Sequence, residues 1–234
     1  MKSIIGIDGC RAGWCVAISH EDKVELRMER SLNALVPQFF HAKRVWIDMP
    51  MGLGGKEKQR TVEQEMRNLL KPFRHTSVFS PPVRNALNAK SYEEAKSIQK
   101  AYTGKAISIQ TWNIHPKIQE LDTLLIKYPA FQSIFFESHP EMCFMRWNDD
   151  KPLVEGKSSN PGLEKRKEIL RKIIPDFDAV FENAMQQFPR KWVKADDILD
   201  ALILMGNARL SKNANMISNP MPQDEQGIPI RIVY

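Results

Sequence analysis

Five carboxylates stand at positions where a carboxylate is out of place. Asp8 closes the apolar run Ile4-Ile5-Gly6-Ile7, and Asp48 closes Val45-Trp46-Ile47. Glu137 follows the run from Phe131 to Phe136, and Asp197 and Asp200 lie in the patterned segment Lys194–Arg209. Aspartate is a poor strand residue and is seldom buried without a partner. Acids gathered at one sheet edge would hold Mg²⁺ or Mn²⁺ through oxygen ligands. Two such ions can activate water and stabilise the leaving oxygen in phosphodiester cleavage. Ordinary readings stand beside this one. Asp8 can cap its own turn, and Asp196 and Asp197 can cap a helix and suit its dipole. Capping does not reach Asp200, one turn further in beside Leu199, Ala201 and Leu202. Its i,i+3 spacing puts it on the same face as Asp197.

The elements that must position these acids follow from pattern. Ser3 to Ser19 (S-I-I-G-I-D-G-C-R-A-G-W-C-V-A-I-S) predicts a β-hairpin with Asp8 at the mouth of a buried strand. Lys23–Glu29 alternates and predicts a third strand, and Ser31 is a plausible N-cap for a short helix with Pro37 near its first turn. Arg44–Asp48 is a fourth strand, ended by the turn Met49-Pro50-Met51-Gly52-Leu53-Gly54-Gly55. Ligand sites in open sheets lie at the carboxyl ends of parallel strands. If strands one and four are parallel neighbours, Asp8 and Asp48 meet there, and like charges that close need a cation or a proton.

Residues from about 55 to 127 predict a helical insertion that covers the site. Within it, His75–Arg84 is non-helical, Ser91 with Glu94 forms a capping box, and 107–112 is a short extended piece or a loop. Ile114–Lys127 predicts a helix with Pro116 in its first turn. Phe131–Phe136 is the next strand, followed by the ligand-dense segment Glu137-Ser138-His139-Pro140-Glu141. A loop spans Asn148–Pro161. Leu163–Ile174 is a basic amphipathic helix (Lys165, Arg166, Lys167, Arg171, Lys172) that reads better as a solvated face than as a phosphate-binding one. A short helix over Asp178–Gln187 and the helix of Lys194–Arg209 follow. Ile228–Val233 would add an edge strand, with Pro229 restricting it to the edge.

The 234 residues suit one domain, 1–234. Cys10, Cys15 and Cys143 form no C-x-x-C pair, which argues against a zinc site or a disulfide framework. No apolar run approaches the ~20 residues of a membrane span. Met1-Lys2-Ser3 runs straight into a strand, so the expected location is the cytoplasm, with no membrane partner. A net charge of +6 is compatible with nucleic acid without demanding it.

Six segments in order carry a resemblance: G-I-D-G-C-R-A-G-W (6–14), I-D-M-P-M-G-L (47–53), S-V-F-S-P-P-V-R (77–84), I-Q-T-W-N-I (109–114), E-S-H-P-E (137–141) and D-D-I-L-D-A (196–201). From about residue 3 to 210 the chain resembles the DUF429 family, described as predicted RNase H-like nucleases. The resemblance implies an α/β ribonuclease H-like fold: a mixed sheet with three antiparallel strands, then parallel ones, flanked by helices. The late D-x-x-D is similar to the closing helix of RuvC-type resolvases, where such acids complete a metal site. On that likeness Asp8, Asp48, Asp197 and Asp200 match the acids of the core pattern. Glu137 has no counterpart there and belongs to the family's own motif.

The leading expectation is a Mg²⁺- or Mn²⁺-dependent nuclease. Asp8, Asp48 and Asp200 would be ligands, Asp197 a further ligand or a supporting partner, and Glu137 a ligand or water-positioning group. Arg11, Arg74, Arg84 and the basic helix at 165–172 are candidate phosphate contacts, and His139 a candidate substrate contact. One rival is an enzyme on a nucleotide or phosphate ester, with Arg84 and Trp112 closing a small pocket. The other is a nucleic-acid-binding module without catalysis. DNA versus RNA, and whether the chain forms a homodimer, are left open.

Overall fold

The computed structural model describes residues 2–21, 23–55, 59–210 and 214–234. Strands β1 (Ser3–Cys10), β2 (Gly13–His20) and β3 (Lys23–Glu29) form an antiparallel meander. The first turn is tight because Gly13 adopts φ +144°, a conformation L side chains rarely accept. Helix α1 (Val36–Phe40), with Pro37 in its first turn, returns the chain to β4 (Ala42–Ile47), which pairs parallel to β1. The insertion then carries α2 (Val62–Leu69), α3 (Tyr92–Thr103) and α4 (Ile109–Lys127). Strand β5 (Phe135–Ser138) pairs parallel to β4. Helices α5 (Pro140–Arg146), α6 (Asn160–Ile173), α7 (Phe177–Gln187) and α8 (Ala195–Leu210) follow. Strands β6 (Met216–Gln223) and β7 (Pro229–Val233) complete a seven-stranded mixed sheet of order β3-β2-β1-β4-β5-β7-β6. The architecture is mixed α/β, with helices on both faces of the sheet.

Side-chain parity assigns the faces. Ile5, Ile7, Val16, Val45 and Ile47 pack with Phe39, Ile118, Leu121 and Leu125 from α1 and α4. Cys15, Ala17 and Trp46 point the other way, into a core with Leu170, Phe177, Leu202 and Met205 from α6, α7 and α8. Strand β1 and the Val45–Ile47 end of β4 are buried on both sides, hence their continuous apolar runs. Helix α8 lies hard against β1. A Cβ on Gly6 would fall 2.3 Å from the Ala201 carbonyl oxygen and from the Met205 amide nitrogen. Glycine at position 6 is therefore what lets α8 approach.

Four expectations need correction. Strand β7 is internal, between β5 and β6. Pro229 is its first residue and so removes no interior ladder donor. The edge is β6, which the sequence reading missed because Pro220 and Pro222 interrupt its pattern. Helix α4 begins at Ile109, capped by the Ser108 hydroxyl accepting from the Thr111 N–H, so Pro116 lies inside the helix. Finally, β5 starts at Phe135, and Phe131 belongs to a 3-10 turn before it.

Candidate active site

The first consequence of this topology is that two acids meet. Asp8 is the sixth residue of β1. Asp48 is the first residue after β4, and its N–H donates to the Ile7 carbonyl at 2.9 Å, extending the ladder by one bond. Gly6 and Trp46 face α8, so two residues on Asp8 and Asp48 face it too. Asp200 waits there, immediately before the Ala201 that contacts Gly6. Asp8 is 6% exposed and Asp200 is 2% exposed. The three aspartates and Asp197 line one cleft of about 390 Å³ together with Glu63, Ser77, Phe79, Ile114, Glu137, His139, Glu141 and Lys157.

Electrostatics in the cleft are those of crowded carboxylates. Burial first, then Asp200 and Asp48, holds the Asp8 carboxyl well above the usual range. Burial also raises Asp48, with His139 opposing and Asp200 reinforcing. Asp8 and Asp48 lie close enough to act on each other's ionisation, and like charges that close need a cation or a proton. Asp197 is pushed up to about 6 by burial, against the Lys194 N–H that its carboxylate accepts at 2.8 Å. Its helix-capping reading therefore holds alongside its place in the cleft.

Lys157 is a member of the site that the sequence reading missed. Its Nζ donates to Asp200 Oδ2 at 2.9 Å and stands 3.8 Å from Asp196. Asp200 above all stabilises its ammonium. Among the described residues, no group of three or more His, Cys, Asp or Glu side chains is arranged to hold a metal ion.

Glu137 shares the cleft wall but not the cluster. It is in register with Ile47, one residue before Asp48, and so faces the opposite way. It accepts from the Met51 N–H at 2.7 Å and from Arg60 Nη2 at 2.9 Å. Arg60 also binds Glu63 and donates to the Met51 and Gly52 carbonyls. Burial pushes Glu137 up to about 7, opposed chiefly by Arg60. In this arrangement Glu137 fastens the turn that follows Asp48.

The other candidates divide. His139 lines the cleft, its Nε2 3.5 Å from Ser77 Oγ and its Nδ1 without a partner. Arg11 is exposed in the hairpin turn and does not line the cleft. Arg74 donates to the Val154 carbonyl at 2.9 Å, bracing the loop that carries Lys157. Arg84 is taken up by Asp122, at 2.7 Å, and by Asp224. Trp112 packs on Tyr92 and His115. Neither Arg84 nor Trp112 reaches the cleft. On α6, Arg166 is fully buried, with Nη2 2.6 Å from Glu141 Oε1, so it belongs to the core face. Lys165, Lys167 and Arg171 pair with neighbouring acids at the surface, in keeping with a solvated face.

Fold and site together define a mixed α/β protein with an aspartate cluster at the carboxyl ends of its parallel strands. Residues 6–225 match the family described as protein of unknown function (DUF429), and the chain belongs to that family. No curated protein and no solved structure matches it. No helix among the described residues is long and apolar enough to cross a membrane.

Proposed function

We propose that the chain is a metal-dependent hydrolase of nucleic-acid phosphodiester bonds with a ribonuclease H-like core. The observation that carries this reading is the convergence of Asp8, Asp48, Asp197 and Asp200, from three distant segments, in one cleft. The strand order, with an antiparallel meander joined through β1 to parallel β4 and β5, supports the ribonuclease H-like assignment. Buried acids that raise one another's pKa are unstable as anions without a cation. The donor set is all oxygen, the kind that suits Mg²⁺ and Mn²⁺.

Asp8, Asp48 and Asp200 would hold the ion, turning toward one point from their present arrangement. A bound divalent ion would supply Lewis acidity and a more acidic water. The chain's own residues supply the rest. Glu137 and Arg60 keep the Met49–Gly55 turn in place, and with it Asp48. Gly6 sets the depth of α8, and with it Asp200. His139 lines the cleft with Asp48, its Nε2 3.5 Å from Ser77 Oγ, where it can orient a water or a phosphate oxygen.

A nucleotide or phosphate-ester substrate is the second reading. The cleft's size and its walls from the insertion, Ser77, Val78, Phe79 and Ile114, favour it. Pockets of about 300–1,000 Å³ suit small ligands. The deciding experiment incubates the protein and Asp8→Asn with Mg²⁺ or Mn²⁺ and single-stranded, duplex, hybrid and branched nucleic acids. Cleavage lost in folded Asp8→Asn supports the nuclease. No cleavage of any polymer, with turnover of a nucleotide, supports the second reading.

A further inference from the structure

Lys157 is no loose surface lysine. Its loop is fastened at three points. Arg74 Nη2 donates to the Val154 carbonyl at 2.9 Å, and Arg166 Nη1 to the Glu155 carbonyl at 3.3 Å. Ser159 donates to the Gly156 carbonyl through both its N–H, at 3.0 Å, and its hydroxyl, at 2.8 Å. A Cβ on Gly162 would lie 2.0 Å from that same Gly156 oxygen, so glycine there lets the loop lie on the first turn of α6. The loop thus delivers an ammonium, 47% exposed at its side chain, to a carboxylate that is 2% exposed. A second polar group in the same cleft also awaits a partner. Glu141 has a side chain 6% exposed, its Oε1 is held by Arg166, and its Oε2 has no hydrogen-bond partner.

We propose that Lys157 is a built-in cation of the aspartate cluster. Its ammonium stands beside Asp200 and Asp196 where a second divalent ion would otherwise bind, so the cluster takes one Mg²⁺ or Mn²⁺. This rests on the metal-dependent reading above and narrows it from two ions to one. Geometry supports the count: Lys157 Nζ is 2.9 Å from Asp200 Oδ2 and 3.8 Å from Asp196 Oδ2, so these two carboxylates already share one cation. The exposed side of the ammonium remains open to the cleft, where it can meet an anionic substrate oxygen. Glu141 also lines this cleft.

The test is calorimetric titration of Mn²⁺ into the wild type, Lys157→Ala and Lys157→Arg, with circular dichroism melts of each. The expected result is one Mn²⁺ per chain in the wild type and in Lys157→Arg, which keeps the charge, and two in Lys157→Ala. Two ions in the wild type, or one in all three with affinity changed less than threefold, overturns the proposal. If Lys157→Ala does not fold, a count of two in the wild type or in Lys157→Arg overturns the proposal, and one in both supports it. Binding in Lys157→Ala alone supports Lys157 as the resident cation and overturns metal dependence of the native chain. No binding in any folded variant overturns both.

Discussion

Replacing Gly6 with alanine probes the contact that brings the acids together. The added Cβ would sit 2.3 Å from the Ala201 carbonyl oxygen and the Met205 amide nitrogen, and 2.9 Å from Met205 Cα. All three are backbone atoms of α8, so no rotamer can relieve the clash. Ordinary contact needs about 3.5 Å, so α8 must withdraw by roughly 1 Å. Overpacking of a tight core costs about 1–3 kcal/mol, and a backbone obstacle belongs at the upper end, about 3 kcal/mol. For a chain of this size that is a melting temperature lower by roughly 9 °C. Urea unfolding should show the loss in the midpoint with the slope unchanged. Asp200 moves with the helix away from Asp8, so Mn²⁺ affinity should fall at least tenfold in the folded variant. A variant as stable as the wild type, binding Mn²⁺ equally well, would refute the claim that this contact sets the spacing of the acids.

Other perturbations test other parts of the site. The folded-state pKa values of Asp8, Asp48 and Asp197 are raised, so their contribution to stability is full below pH 4 and is lost as pH rises, through about 6 for Asp197. Mn²⁺ should therefore raise the melting temperature more at pH 8 than at pH 5, and equal shifts in a buffered thermal scan would contradict this. Arg60→Ala leaves Glu137 and Glu63 as unpaired buried acids and should cost about 3–5 kcal/mol in urea unfolding, whereas a cost below 1 kcal/mol would deny the anchor. Arg84→Ala should destabilise by about 2 kcal/mol through loss of its charged hydrogen bonds to Asp122 and Asp224. In the folded protein at low temperature it should leave nucleic-acid affinity within twofold by fluorescence anisotropy.

Much of the sheet was legible because its strands are bounded by chemistry. The apolar runs closing at Asp8 and Asp48, each leading into a glycine-containing turn, marked two strands and their carboxyl ends, and the fold supplies their parallel pairing. The Asp197–Asp200 spacing reported the helix face that meets them. What the sequence concealed were contacts made across distance. The register that places Glu137 with Ile47, not with Asp48, depends on pairing and reverses the side to which Glu137 points. Lys157 lies in a polar loop 43 residues before the aspartate it binds, and no local pattern marks it. Arg84 and Trp112 stood beside motif residues and were drawn toward the cleft by that proximity. In the fold, Arg84 is held by acids on α4 and before β7, and Trp112 by its aromatic neighbours. Strand β6 escaped because edge strands tolerate the prolines that erase their pattern.

The most direct measurement is anomalous diffraction from crystals soaked in Mn²⁺, at a photon energy just above the manganese absorption edge. The account expects a peak bounded by carboxylate oxygens of Asp8, Asp48 and Asp200 at about 2.2 Å, with Lys157 still on Asp200. Saturating Mn²⁺ that leaves no peak among these three residues, with their side chains where they stand now, would contradict it.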